Sequence, residues 1–424
     1  MLKKILPLLL FLITISTSAF SQSSNETITV FLDCRGCDER FIQTEIGFVS
    51  FVRDQADAEV HIFIVRQFTG SGGQEYTIEF IGQGELDDQQ EILTFVSPES
   101  DTEEERRNKL VSHIKLGLVG YLVDTNIFGR LSVSFDQNLI IEPTEAPEND
   151  PWNRWLFEVG GNTNFNGEES RKFLNLNGYT RARRITENWK TDFRYRHNYN
   201  RRTFVTTEEQ EIAPGDTADV EVTEVFTVES QNLFGLVAKS LGPHWSAGFY
   251  TSVRSSTQDN IDFRFGIAPT IEYSLFPYSE FTRREVTFRY GITMAALNYT
   301  ETTIFGETEE LLFQQELNIN TEFTQPWGGI EGGISAETYL HDFSKNNLRF
   351  DAEINMRVFR GLSVFISGRY SLINDQLSLP AGDSSDEDVL LNLRNQATSY
   401  SFGGSIGLEF TFGSIYNNVI NPRL

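Results

Sequence analysis

The sequence predicts a mainly β protein: a roughly twelve-stranded antiparallel transmembrane β-barrel preceded by a small α+β domain. Strict alternation over long segments is the first observation. Tyr400, Phe402, Gly404, Ile406, Leu408, Phe410 and Phe412 share one face of a strand whose other face carries Ser401, Gly403, Ser405, Gly407, Glu409 and Thr411. Leu348, Phe350, Ala352, Ile354, Met356 and Val358 likewise alternate with Arg349, Asp351, Glu353, Asn355 and Arg357. Hydrocarbon requires every backbone amide to pair within a closed sheet, with apolar residues outside and polar ones inside. Composition is the second: 13% aromatic residues, 35 of the residues Phe, yet a mean hydropathy of −0.30. A barrel with a wet interior combines these; a soluble β-sandwich array is the alternative. Third, beyond the N-terminus no segment approaches the ~20 apolar residues of a spanning helix. The richest, 114–123, is interrupted by Lys115 and two glycines.

Lys3 and Lys4, an apolar run over 5–15, and small residues Ala19 and Ser21 before Gln22 read as a secretory signal peptide over residues 1–21. With no cysteine at the cut, lipoprotein processing is not expected. The net charge of −25 argues against nucleic acid as a partner, because phosphate binding needs a basic surface. Acidic loops keep a surface soluble, and could also meet divalent cations bridging lipopolysaccharide phosphates.

Residues 22–141 read as the α+β domain. A strand over 28–32 leads to a helix over 39–53, with an apolar stripe of Phe41, Ile42, Ile46, Phe48, Val49 and Val52 and acidic Asp38 and Glu39 at its positive end. Strands 59–66 and 76–81 flank the turn Gly70, Ser71, Gly72, Gly73 as a hairpin. A strand over 92–96 stops at Pro98, and Ser100 with Glu103 has capping-box spacing for a second helix, 101–122, whose packing face is Leu110, Val111, Ile114, Leu118 and Leu122. This order resembles the N-terminal domain of the periplasmic translocation protein of the Tol system. The resemblance implies a periplasmic docking domain that meets a protein partner through residues 22–141.

Cys34 and Cys37 lie between a strand and a helix start, where a thiolate is favoured and thiol–disulfide exchange is possible. The hairpin that follows departs from the thioredoxin pattern, so a structural disulfide is the simpler reading. Scattered histidines do not make zinc spacing, and neither a metal nor a cofactor is expected. Residues 142–151 form an acidic, proline-rich linker.

The barrel occupies 152–413 and a tail 414–424. Strands are expected at 153–165, 172–185, 188–203, 223–239, 244–255, 260–275, 283–301, 309–323, 328–341, 347–359, 362–373 and 398–412. With the first domain in the periplasm, short turns face it, and the two longest acidic links, 206–221 and 374–395, face outward. Trp155, Trp189, Trp245 and Trp327 fall near strand ends, as interfacial girdles do. On the final strand Ser405, Gly407, Phe410 and Phe412 resemble the signal by which outer-membrane barrel proteins are recognised by their assembly machinery. That resemblance implies the cell outer membrane, with lipid and lipopolysaccharide as neighbours; the tail after Phe412 is a departure from it.

Inward positions carry the candidate site. Arg181, Arg183, Lys190, Arg194, Arg196 and Arg202, with Asp192 the only acid, face Glu316, Glu322, Glu331 and Glu337 from about half a circumference away. In an open lumen these charges set a transverse field; in a closed one they interlock as a salt-bridged plug. The tenth strand mixes signs and favours local pairing. The expectation is a porin-like or gated channel for small polar or charged solutes, the alternative a closed barrel acting as a structural anchor. A lipid hydrolase comes third, since His341–Asp342, His197 and His244 lack a phospholipase motif and adjacent strand residues point to opposite faces. No enzymatic activity is expected.

Overall fold

The computed structural model describes residues 27–132 and 150–416, except 71, 124, 214–215, 383–390 and 392. The expected signal peptide, most of the linker and the last residues of the tail lie outside the described residues.

The first unit runs β1 (Thr29–Cys34), α1 (Glu39–Glu45), β2 (Ser50–Val52), β3 (Val60–Phe68), β4 (Gln74–Gly82), β5 (Gln90–Ser97) and α2 (Glu103–Leu118). Its sheet has the order β2-β1-β3-β4-β5, with β1 parallel to both neighbours and the other pairs antiparallel. One face packs Val30, Leu32, Ile62, Ile64, Ile78 and Phe80 against Ile42 of α1, Ile46 just after it, and Leu110, Ile114 and Leu118 of α2. Each such side chain contributes about 1.5–3 kcal/mol on burial, which is what holds the helices to this face.

Two expectations are corrected here. The helix expected over 39–53 ends at Glu45; Gly47 and Phe48 turn, and Ser50–Val52 becomes a strand beside β1. Val49 and Val52 fit a helical stripe, but Phe51 and Val52 also suit a buried strand, and pairing with β1, in register as Val30↔Phe51 and Phe31↔Val52, decides between them. The capping box also falls two residues later. Thr102 Oγ1 accepts from the Glu105 amide at 3.2 Å, and the Glu105 carboxylate accepts from the Thr102 amide at 2.8 Å. Those bonds hold the Glu105 carboxyl below its ordinary range.

The second unit is a twelve-stranded antiparallel sheet in which every strand pairs with its neighbours in sequence. The strands are β6 (Trp155–Gly167), β7 (Arg171–Ile185), β8 (Trp189–Ala213), β9 (Asp216–Ser240), β10 (Trp245–Ser256), β11 (Ile261–Ser274), β12 (Arg284–Tyr299), β13 (Glu309–Gln325), β14 (Gly328–Tyr339), β15 (Asn346–Phe359), β16 (Leu362–Ile373) and β17 (Tyr400–Phe410). β6 and β17 are its edges, and among the described residues no ladder joins them. The acidic loop expected over 206–221 is instead the continuation of the β8–β9 hairpin, with its ladder running unbroken from Trp189↔Lys239 to Glu211↔Thr217. Val205 and Thr206 opposite Thr223 and Val222 supply the β-branched pairs that carry it outward.

The large sheet curls, because the small unit touches turns all along it. Gly70 abuts Ile185 of β7, so that a Cβ there would lie 2.8 Å from the Ile185 Cβ. Arg283, before β12, pairs with Glu79 at 2.9 Å and lies 4.7 Å over the Phe63 ring. Arg357 of β15 pairs with Asp33 at 3.3 Å and covers Phe31 at 4.8 Å; Arg360 pairs with Asp57 at 2.7 Å. After β17 the chain returns to the edge of the small sheet, where the Arg53 amide donates to the Ile415 carbonyl at 3.0 Å and Val52 bridges Tyr416. Laid flat, β7 to β17 would span about 48 Å at ~4.8 Å per strand, too far for one ~100-residue unit with a radius of gyration near 13 Å, about 34 Å across, to touch both. The face of the small sheet that carries no helix, with Phe31, His61 and Phe63 buried, is therefore seated across one end of the curled sheet.

Candidate functional site

The two faces of the large sheet differ in kind. Phe288, Ile319, Ile334, Phe350, Tyr370 and Phe402 follow one another in register across β12 to β17 on the outer face. These side chains are exposed or half-buried: Phe350 is 39% and Phe402 74% exposed. Trp155, Trp189 and Trp245 are the first residues of β6, β8 and β10, and Trp327 lies between β13 and β14, all at the end that meets the small unit. The opposite face carries the charges.

On β7 and β8, Arg181 and Arg194 are directly opposite in register. Asp192, only 2% exposed, lies between them. It accepts from Arg181 Nε at 3.0 Å and Nη2 at 2.7 Å, and from Arg194 Nε at 3.0 Å. Two-toothed, charge-assisted bonds of this kind are what make a desolvated carboxylate tolerable. Arg183 is buried against Glu158 at 3.2 Å. Arg196 stands in register between Tyr179 and Asn232, and Lys190 lies within electrostatic range of Glu285 on β12, across the curl. Arg202 donates to the Leu391 carbonyl at 2.7 Å, tying β8 to the segment between β16 and β17.

The acidic side is arranged differently. Glu285, Glu322, Glu331 and Glu353 stand directly opposite one another across β12, β13, β14 and β15, and Glu316 stands opposite Glu337. Like charges so placed repel. The relief comes from the small unit: Arg35 approaches Glu331 at 3.6 Å and Glu353 at 3.8 Å. Arg35 sits in the tight loop closed by the Cys34–Cys37 disulfide, with Gly36 at φ +77°, a conformation that favours glycine. Beside it a cavity of about 520 Å³ lies between the units, lined in part by Asp33, Glu39, Glu331 and Arg357. Burial and nearby Asp33 push the Glu39 carboxyl above its ordinary value.

At the opposite end the chain after β16 folds inward. Leu377 and Leu379 are buried; the Ile304 amide donates to the Leu379 carbonyl at 2.8 Å, and Asn260 Nδ2 to the Ser378 carbonyl at 2.9 Å. Between the two ends a second cavity, about 440 Å³, is lined by residues of β9 to β14. Arg264 and Arg289 line it from β11 and β12, Glu316 and Glu337 from β13 and β14.

The histidines take other partners. His341 packs on Tyr339 with ring centroids 5.7 Å apart, while Asp342 caps its own loop by accepting from Ser344, which lowers its carboxyl's pKa. His197 meets Glu229 at 3.0 Å, and His244 meets the Ser274 carbonyl at 2.8 Å. On β17, Ser405 shares a 2.8 Å hydrogen bond with Ser367, and exposed Phe410, its last residue, stacks at 5.6 Å on exposed Phe412, just before Gly413 at φ +114°.

Sequence reasoning missed Arg35, Arg264 and Arg289. The last two were readable from strand parity, since they alternate with outward Phe263, Phe265, Phe288 and Tyr290. Arg35 was not, because its partners lie some 300 residues away. No protein-family model and no curated protein matches the chain.

Proposed function

We propose that this protein is an outer-membrane β-barrel, closed in the bilayer by pairing of β6 with β17, that passes small polar or charged solutes and is gated from the periplasmic end by its N-terminal unit. One observation carries the reading: a continuous exposed apolar band on the outer face of a curled sheet whose inner face is charged. A contiguous apolar surface of that extent needs a cover, and lipid covers it without leaving the inner charges dry. The small unit supports gating because it is held to the turns by arginine pairs and rings rather than by a continuous apolar core. The same unit is the candidate docking module for a periplasmic protein partner, and barrel-assembly machinery is the expected route into the membrane.

Planar-bilayer recording of the full-length chain tests this. Discrete current steps, enlarged in Arg357→Ala or Arg360→Ala, are the expected result. Silence in wild type and in both variants would instead favour the second reading, a closed envelope anchor. That reading is supported by the two covered ends and the Asp192 ion triad.

A further inference from the structure

We propose that the 440 Å³ cavity between the two covered ends is a binding site for a zwitterionic solute of the short-peptide class, with its carboxylate on Arg289 and its ammonium on Glu316 and Glu337, while Arg264 lines the cavity farther along β11. The inference deepens the channel reading, since it names the solute that such a lumen would hold. Its basis is four charged groups that the protein positions without neutralising. Arg264 Nη1 donates to Ser252 Oγ at 3.1 Å, and Arg289 Nη1 to the Tyr250 hydroxyl at 3.0 Å. Glu337 accepts from Gln314 Nε2 at 2.8 Å, and Glu316 from Asn318 Nδ2. Every one of these partners is neutral, and among the described residues none of the four charges is in an ion pair. Glu272 faces Arg289 in register but accepts the Tyr278 hydroxyl at 3.0 Å instead.

Part of the inner face is settled by ion pairs instead. Arg181, Arg183 and Arg194 are paired with carboxylates, and Glu331 and Glu353 with Arg35. Charges held by neutral donors and acceptors retain their pull on a ligand, and the fixed geometry lowers the cost of binding. Signs are also segregated: the arginines stand on β11 and β12, the glutamates on β13 and β14. Arg289 stands diagonal to Glu316, two residues along and one strand across, with Glu337 one strand further, so the midpoint of the glutamates is about 10 Å from Arg289. An extended chain advances about 3.3–3.6 Å per residue, so a peptide of two or three residues reaches from Arg289 to the glutamates with hydrogen-bond length to spare. Gly291, directly opposite Glu316, keeps the space between them clear, and Gly266 and Ala268 complete a small-residue wall. The volume lies within the ordinary range for small-ligand sites, roughly 300–1,000 Å³.

The test is calorimetric titration of the refolded full-length protein with alanylalanine, and with its N-acetylated amide, acetate and ethylammonium as comparators. Alanylalanine should bind at least about tenfold more tightly than each comparator, the effect of one charge-assisted hydrogen bond or more. Arg289→Gln and Glu337→Gln should each remove that advantage, while Arg289→Lys, which keeps the charge, should retain part of it. Equal binding of the dipeptide and its uncharged amide, or no binding of either, overturns the proposal whatever the variants do. Bilayer conductance of the same preparation separates the two readings. Binding without conductance leaves the site standing and sinks the channel; conductance without preferential dipeptide binding does the reverse.

Discussion

The basic wall of β7–β8 and the acidic wall of β12–β15 occupy the same curled sheet but settle their charge by different means. Asp192 neutralises its arginines from within the wall, through neighbours two residues and one strand away. The carboxylate row has no cation of its own in register, and is met by Arg35 from the other folded unit. A charge balanced locally rigidifies a wall. One balanced from another unit makes the seating of that unit part of the electrostatics, so separating the two units returns the repulsion to the inner face.

The contrast can be broken hardest on the basic side. Asp192→Asn leaves two opposed guanidiniums without their shared carboxylate, and should cost about 3–5 kcal/mol in urea unfolding. A loss under 1 kcal/mol would show that the triad is solvated and the wall not self-sufficient.

Seating of the small unit should be affected next. Arg357→Ala removes both a pair to Asp33 and a ring contact to Phe31, worth about 1–2 kcal/mol together. Protease cleavage between the units, measured over time, should accelerate while the melting of the strands stays in place.

Arg35→Ala should barely move stability, by less than about 1 kcal/mol, because both pairs are long and exposed. Its mark should be in conduction, as a shift toward cation selectivity in reversal-potential measurements once the glutamate row is uncovered. Unchanged selectivity would mean that the row does not line the path.

The smallest effect concerns pH at the seam. The Glu39 carboxyl is raised above its ordinary value by burial and by Asp33, so folding favours its protonated form. Its stabilising contribution is complete below the unfolded-state value and is lost as pH rises from there through the raised folded value. Glu39→Gln should flatten that part of the stability–pH profile. An identical profile in wild type and variant would exclude Glu39 as a titrating contact between the units.

Much of this was legible in the chain because strand parity is a local property. Leu348 to Val358 and Tyr400 to Phe412 declare their two faces without reference to anything distant, and the spans of twelve strands follow from that alternation. Parity also put Arg181, Arg194, Glu316 and Glu331 on one face, though not their partners. The failures fell where two local readings compete. Val49 to Val52 suits a helix or a strand, and 206–221 suits an acidic loop or a hairpin arm; pairing with β1 in one case and β8 with β9 in the other made the choice.

What the sequence determined by itself was therefore the class of each segment and the side on which each residue lies, since period-two alternation sets both. Tertiary structure alone decided which unlike segments meet: Arg35 with Glu331 and Glu353, Leu379 with Ile304, Tyr416 with Val52. The physical reason is range. Alternation acts between neighbouring residues, whereas curling a twelve-stranded sheet brings together side chains hundreds of residues apart, and only there do the charges find or fail to find their partners.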